Sequence, residues 1–390
     1  MYNFEDILHR KENGSKKWNE AYINRRFPNH KVPYYPLFIA DMDYKLPTDI
    51  NNKFVDFIQQ GDFGYFDVLD KFRESVVKWN KNLNNIDIDK KCVMPGIGTL
   101  ASMNLVVKSI LDKGDNVLIF TPVYGPFKDI VVNNDLNLIK QPLELRNDRY
   151  YINFKDLEEK INHNNLKCIL MCNPHNPAGR VWNYEELQML VSLCKKYNIL
   201  LLSDEVHSDL TLNECNFVSM SNFIKDYKNI IISSSPNKTF NLAGLSSSYL
   251  VIYNDDIYNK LEFEFGKNKL GINRVGYEFL TICYENGQQW VKDLKVNILE
   301  NLNLVKNILN LDSIKLMNPE AGYLLWVKLD RVKDSLGFTQ ELAEKTGVLV
   351  ESGSRFIDSE EGYIRINLAT SKVILEKSMK ELVKFYSEIN

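Results

Sequence analysis

Short apolar runs of strand length alternate with longer amphipathic stretches through the middle of the chain, and this rhythm constrains the fold more than any other feature. The runs are Asn116-Val-Leu-Ile-Phe120, Cys168-Ile-Leu-Met-Cys172, Ile199-Leu-Leu-Leu-Ser203, Ile230-Ile-Ile-Ser-Ser234 and Tyr249-Leu-Val-Ile-Tyr253. Between them, Leu100 to Leu111 and Tyr184 to Tyr197 read as amphipathic helices. In the second, Leu187, Leu190, Val191 and Cys194 recur at helical spacing among Glu185, Glu186, Gln188, Lys195 and Lys196. Such a helix covers a core with one face. Continuous apolar strands separated by such helices are buried on both sides, which predicts an α/β fold with a mainly parallel sheet.

The ends read differently. Residues 1–45 are polar and aromatic without strand–helix alternation. After about residue 285 come a long helix (Trp290 to about Leu309), the strand-like Gly322-Tyr-Leu-Leu-Trp-Val-Lys-Leu329, a helix, Tyr363-Ile-Arg-Ile-Asn-Leu368 and a last helix. This predicts a large sheet domain over 46–284 and a smaller α+β domain made of 1–45 and 285–390, a division that suits 390 residues.

Composition removes several classes of function. With 44% hydrophobic and 25% charged residues the chain is neither disordered nor fibrous. Lys plus Arg is 48 against 51 for Asp plus Glu, a balance that gives nucleic acid or an anionic membrane no electrostatic hold. No apolar stretch reaches the ~20 residues of a membrane span, and the first ten residues lack a signal-peptide core. A cytoplasmic protein is expected. The six cysteines (Cys92, Cys168, Cys172, Cys194, Cys215 and Cys283) show no CxxC spacing, and Cys168 and Cys172 read as small apolar residues in a strand. The five histidines form no ligand cluster, so no metal is expected.

The polar residues just past the apolar runs carry the functional signal. Thr121-Pro-Val-Tyr-Gly125, Asn173-Pro-His-Asn-Pro-Ala-Gly179, Asp204-Glu-Val-His207 and Ser235-Pro-Asn-Lys238 each stand at a carboxyl end. In an open parallel sheet ligands lie outside the carboxyl ends of the strands, so Tyr124, Asn176, Asp204 and Lys238 should share one rim. A lysine with an aspartate on such a rim suits pyridoxal phosphate: Lys238 for the Schiff base, Asp204 to keep the ring nitrogen protonated, Asn176 for the phenolic oxygen and Tyr124 stacked on the ring. Met94-Pro-Gly-Ile-Gly-Thr-Leu100 runs into a helix beginning near Thr99, whose free amides would cradle the phosphate. As a dinucleotide fingerprint this motif is weak, lacking the third glycine and a preceding strand.

These residues resemble a known family. Ser235-Pro-Asn-Lys-Thr-Phe-Asn-Leu-Ala-Gly-Leu245, Asn173-Pro-His-Asn-Pro-Ala-Gly-Arg180 and Ser203-Asp-Glu-Val-His207 look like the fold-type I, class I/II aminotransferase superfamily. Ala40-Asp-Met-Asp-Tyr44, Phe63-Gly-Tyr65 and Arg10-Lys-Glu-Asn-Gly-Ser-Lys-Lys-Trp18 resemble, more narrowly, its MalY/PatB group of cystathionine β-lyases (C–S lyases). The resemblance implies an aspartate aminotransferase-like, PLP-dependent transferase fold. It gives Lys238, Asp204, Asn176 and Tyr124 the roles above, with His207 beside the cofactor and Ile97, Gly98 and Ser235 on its phosphate. Tyr65 would reach the phosphate of a neighbouring subunit, which implies a homodimer with shared sites. Arg365 would grip the substrate α-carboxylate, for which a planar guanidinium fork is suited.

The chain departs from the family pattern in places. Asn237 precedes the lysine where a small residue is usual, Gly125 follows Tyr124 where the lyases have a second aromatic, and Phe66 stands where Thr is usual. Ser246 replaces the phosphate-binding Arg of many aminotransferases, and His207 their Tyr; both features look lyase-like. The expected reaction is β-elimination on L-cystathionine or a related cysteine S-conjugate, giving thiol, pyruvate and ammonia. An aminotransferase using a 2-oxo acid shares every residue named and stays the alternative. A DNA-binding sensor would need a reader domain, and the residues before the sheet region carry lyase-like motifs instead.

Overall fold

In the computed structural model, which describes residues 2–389, the apolar runs become neighbouring strands of one seven-stranded sheet. In chain order its strands are β1 (Val93–Gly96), β2 (Asn116–Thr121), β3 (Asn137–Pro142), β4 (Leu166–Cys172), β5 (Leu200–Asp204), β6 (Ile230–Ser234) and β7 (Ser248–Ile252). The spatial order is β1-β7-β6-β5-β4-β2-β3. From β6 to β3 every pairing is parallel, whereas β7 runs antiparallel to both neighbours. Hydrophobic pattern reports burial and not strand direction, so β7 looked like the rest.

Alternate residues feed two cores. In β4, Cys168, Leu170 and Cys172 join Met103 and Val106 of helix Thr99–Ile110 and Leu261 and Phe265 of helix Asp255–Lys267 on one face. Ile169 and Met171 join Leu187, Leu190 and Cys194 of helix Tyr184–Tyr197 on the other. That helix spans the residues expected, held at its start by a capping box between Asn183 and Glu186. Cys168 and Cys172 are buried strand residues, as their setting suggested.

Two strands of this sheet were not anticipated, and both lie at its edges. The expectation that Met94-Pro-Gly has no preceding strand is wrong: Val93–Gly96 is itself that strand, tolerating Pro95 because an edge position needs fewer ladder hydrogen bonds. Strand β3 is only partly buried and lacks a continuous apolar run.

A second, antiparallel sheet holds β8 (Ile314–Leu316), β9 (Leu324–Leu329), β10 (Glu351–Ser352) and β11 (Tyr363–Asn367) in the order β8-β9-β11-β10. Helices Gln288–Ile308 and Lys372–Ser387 add Leu294, Ile298, Leu302, Leu375, Met379 and Leu382 to the core around it. The amino-terminal segment lies on this side of the molecule. Tyr35–Pro36 pairs in parallel with Val348–Leu349, and Trp18, Ile23, Phe27, Tyr34 and Phe38 pack with Ala343 and Leu349. Among the described residues no helix is long and apolar enough to cross a membrane.

Candidate active site

Strand register brings the four predicted rim residues together. Cys172 pairs with Asp204 and Asp204 with Ser233, so β4, β5 and β6 end level and their following loops emerge on one side. Asp204 is the last residue of β5; Asn176 and Lys238 stand four residues beyond the ends of β4 and β6. Tyr124 sits in a two-residue strand, Val123–Tyr124, paired with Phe356–Ile357 from the region of the second sheet. Arg365 enters from β11, opposite Trp326 on one side and Glu351 on the other.

Within this cleft the polar groups are dry and sparsely partnered. Asp204 is buried and, among the described residues, its carboxylate accepts only from the Val206 amide, at 3.2 Å; burial pushes its carboxyl up to about 6. Lys238 donates from Nζ to the Ala40 carbonyl at 2.8 Å, and burial first, then the Arg365 charge, lowers its ammonium to about 8. No ion pair joins Lys238 to Asp204 among the described residues, although each acts on the other's charge. Burial holds His207 neutral, its pKa lowered to about 3 with help from Lys238 and Arg365. Arg365 donates to Asn176 Oδ1 at 3.1 Å and to the Phe38 carbonyl at 3.2 Å, while its Nε is buried without a partner. Tyr124 has its hydroxyl pKa raised, chiefly by burial.

The Gly-x-Gly turn leads into the amino terminus of helix Thr99–Ile110. Gly98 takes φ +98°, a conformation side chains resist. The amides of Ile97 and Gly98 are already engaged, donating to Ser102 Oγ at 3.0 Å and Ser248 Oγ at 2.9 Å. The helix has no side-chain cap, which leaves its first-turn amides from Thr99 onward as the available donors. Ser235 Oγ donates to the Ser247 carbonyl at 2.8 Å, and Ser247 Oγ is buried without a partner. Ser246 borders the same turn, its Cα 3.7 Å from where a Cβ on Gly98 would be.

The site thus has unengaged amide donors at a helix start, a buried carboxylate with no ion-pair partner among the described residues, and a lysine of lowered proton affinity. That donor set fits a phosphate-bearing ring whose nitrogen carries a proton.

Sequence reasoning marked Thr99 only as the start of the helix after Gly98 and gave it no role of its own. Nor did it find the backbone carbonyls of Phe38 and Ala40, which no side-chain motif can report. What the amino-terminal motifs do is clear in three dimensions. Arg10 donates to both oxygens of Asp41 at 2.8 and 2.7 Å, and the fully buried Lys17 donates to Asp43 Oδ2 at 2.8 Å and the Asp41 carbonyl at 2.9 Å. Trp18 Nε1 reaches Asp43 Oδ1 at 2.8 Å. Asn241, three residues past the lysine, clamps both backbone groups of Met42 at 3.0 and 2.9 Å, and Asn367 holds the carbonyls of Ile39 and Asp41 at 2.7 and 2.8 Å. Residues 38–43 form a strap between the Lys238 loop and the Arg365 strand.

A family model described as aminotransferase class I and II matches residues 41–382. The chain belongs to that family. Cystathionine beta-lyase PatB of Bacillus subtilis (strain 168) is 29% identical over 352 residues, covering 89% of this chain and 91% of the relative. Cystalysin from Treponema denticola, a crystal structure containing pyridoxal 5'-phosphate, superposes with a TM-score of 0.94 at 28% identity over 100% of both chains. The PLP-bound C–S lyase from Staphylococcus hominis gives 0.90 at 28% identity, over 100% of this chain and 98% of the other. The fold is that of fold-type I enzymes, as the family resemblance implied.

Proposed function

We propose that the chain is a PLP-dependent C–S β-lyase that releases thiol, pyruvate and ammonia from L-cystathionine or a related cysteine S-conjugate. The observation that carries this reading is the strap. Its two acidic residues and their basic partners are the lyase-like motifs, and it touches both the candidate base and the candidate carboxylate receptor. The lyase names of the relatives support it. An aminotransferase is the second reading, favoured by the family description itself.

Lys238 and Asp204 would hold pyridoxal phosphate at its aldehyde and ring nitrogen, with Asn176 and His207 near the ring, Tyr124 on its face, and Thr99, Ser235 and the turn at Ile97 and Gly98 around its phosphate. When bound, this cofactor supplies an electron sink for the pair left at the substrate Cα. Arg365 binds the α-carboxylate, and Asn176 and the Phe38 carbonyl fix the angle of its fork. Lys238, lowered toward neutrality, takes the α-proton at Nζ and can return it to the leaving side. The buried walls keep water out of the proton transfer, and the aminoacrylate released after the thiol leaves takes up water to give pyruvate and ammonia.

The same reading divides the chain into domains of 46–284 and of 1–45 with 285–390, with the site between them. It also makes the enzyme a cytoplasmic homodimer. Tyr65 is fully solvent-exposed in the single chain, with Phe63 and Leu69 also exposed beside it, as expected of a segment that completes a neighbouring site. Lys238→Ala tests the assignment: thiol release from L-cystathionine should fall at least about a thousandfold, and retained release would place the chemistry elsewhere.

A further inference from the structure

Lys238 and Asp204 must address two ends of one ring, yet no ion pair joins them among the described residues, and the register of β5 and β6 ends at Asp204 and Ser233, short of the Lys238 loop. A second carboxylate ties the two loops together. Asp209, in the short helical turn Ser208–Leu210 that follows His207, is buried and accepts at both oxygens. Thr239 Oγ1 donates to Oδ2 at 2.7 Å and Trp79 Nε1 to Oδ1 at 3.0 Å. Thr239 is the residue after Lys238 and is fully buried. Its carbonyl accepts from Trp290 Nε1 at 2.8 Å, so side chain and backbone are both held.

The surrounding groups are fixed in turn. Trp79 comes from helix Asp70–Asn84 and stacks on Tyr284, with ring centres 4.7 Å apart and planes 5° from parallel. On the other side of the lysine, the Asn237 amide donates to Ser235 Oγ at 3.0 Å and the Asn237 carbonyl accepts from the Leu242 amide at 3.2 Å. Lys238 therefore extends from a backbone anchored before and after it.

An ionisable group is a costly acceptor for a merely structural bond. No cation contacts Asp209 among the described residues; Lys295 acts on its charge but donates to Thr211 Oγ1 at 3.1 Å, and burial raises the Asp209 pKa. What a carboxylate adds is the shorter, stronger hydrogen bond of a charged acceptor. The charges that act on Lys238 are those of Arg365, Asp41 and Asp204, so Asp209 reaches the lysine through Thr239 and not through its own field.

Resting on the reading that Lys238 carries the cofactor, we infer that Asp209 is a positioning residue: through Thr239 it fixes the Lys238 backbone relative to Asp204 on its own loop, so that Nζ meets the aldehyde while the ring nitrogen meets the carboxylate. In that capture the lone pair of the neutral Nζ forms a bond to the aldehyde carbon. The aldehyde oxygen leaves as water with the two protons the amine gives up.

Two ligands separate positioning from a general loosening of the site. Pyridoxal phosphate needs Nζ at its aldehyde, whereas pyridoxine 5'-phosphate has the same ring and phosphate with an alcohol in that place. Thr239→Val keeps the side-chain shape and removes the hydroxyl. In this variant, freed of cofactor, the rate constant for covalent capture of pyridoxal phosphate, read by visible absorbance, should fall about 10- to 100-fold. The dissociation constant for pyridoxine 5'-phosphate should stay within about twofold of wild type, since none of its contacts change. Thr239→Ser restores the hydroxyl and should restore most of the rate. Asp209→Asn can accept from only one of the two donors and should share the selective loss. Equal losses with both ligands, or a Thr239→Val protein that captures as fast as wild type, overturn the inference. Lys238→Ala tests the reading beneath it. Covalent absorbance that still forms there overturns the lysine assignment and the inference together; its absence there, with an unselective loss in Thr239→Val, removes Asp209 alone.

Discussion

Replacing Asp204 by Asn should stabilise the protein freed of cofactor and weaken it once loaded. In the free protein the carboxylate is buried and, among the described residues, accepts one amide hydrogen bond and has no cation in contact. Burial raises its pKa from an ordinary 3.8 to about 6. At about 1.4 kcal/mol per pH unit this is a penalty on the order of 3 kcal/mol. Its pH dependence follows from the sign. The folded chain keeps the proton to higher pH than the unfolded chain, so the penalty is absent below about pH 4, builds up to about 6 and is full above it. Asn keeps the acceptor for Val206 and removes the charge. Urea unfolding of cofactor-free wild type and Asp204→Asn should therefore show the variant more stable by about 1–3 kcal/mol at about pH 7.5, after a discount for its unpartnered amide, with the gain vanishing near pH 4. Adding pyridoxal phosphate should reverse the order, because the carboxylate then has a cationic partner. A variant less stable than wild type at neutral pH without cofactor would refute the claim that Asp204 is held uncompensated for a ligand.

Further outcomes rest on the same groups. Lys17→Met leaves the buried Asp43 with only Arg10, at 3.7 Å, as a cation and should cost about 2–4 kcal/mol in chemical denaturation, far more than the exposed pair Lys45–Asp6; a loss below about 1 kcal/mol would show that the strap is not held by this pair. The rate at which cofactor-free protein captures pyridoxal phosphate should rise with pH and level off above about 8, where burial and Arg365 leave Lys238 neutral. Capture still climbing tenfold per unit near pH 10 would mean an ordinary lysine. Ser247→Ala should speed cofactor loss severalfold, since its hydroxyl is a buried donor with no protein partner; an unchanged off-rate would remove Ser247 from the cradle.

The sheet was legible because its inner strands are buried on both faces, and burial is what hydrophobic runs record. Strands β1 and β3 were hidden because edge strands carry Pro95 or only partial burial. The antiparallel course of β7 leaves no mark on residue pattern at all. Lys238, Asp204, Asn176 and Tyr124 were legible because each stands just past an apolar run, and register then draws them together. Ile97 and Gly98 have their amides taken by Ser102 and Ser248, serines in a helix and a distant strand whose approach only folding reveals. The Ala40 and Phe38 carbonyls were illegible for the same reason, since any residue type can supply a backbone oxygen.

Elimination and transamination use the same first contacts, so their products must separate them. The decisive measurement is sustained turnover of L-cystathionine by the holoenzyme with no 2-oxo acid present, following thiol and pyruvate together. Equal amounts of both, continuing over many turnovers per Lys238 site, are the predicted result. Product that appears only when an oxo acid is supplied, or stops at one equivalent per site, would contradict the lyase assignment.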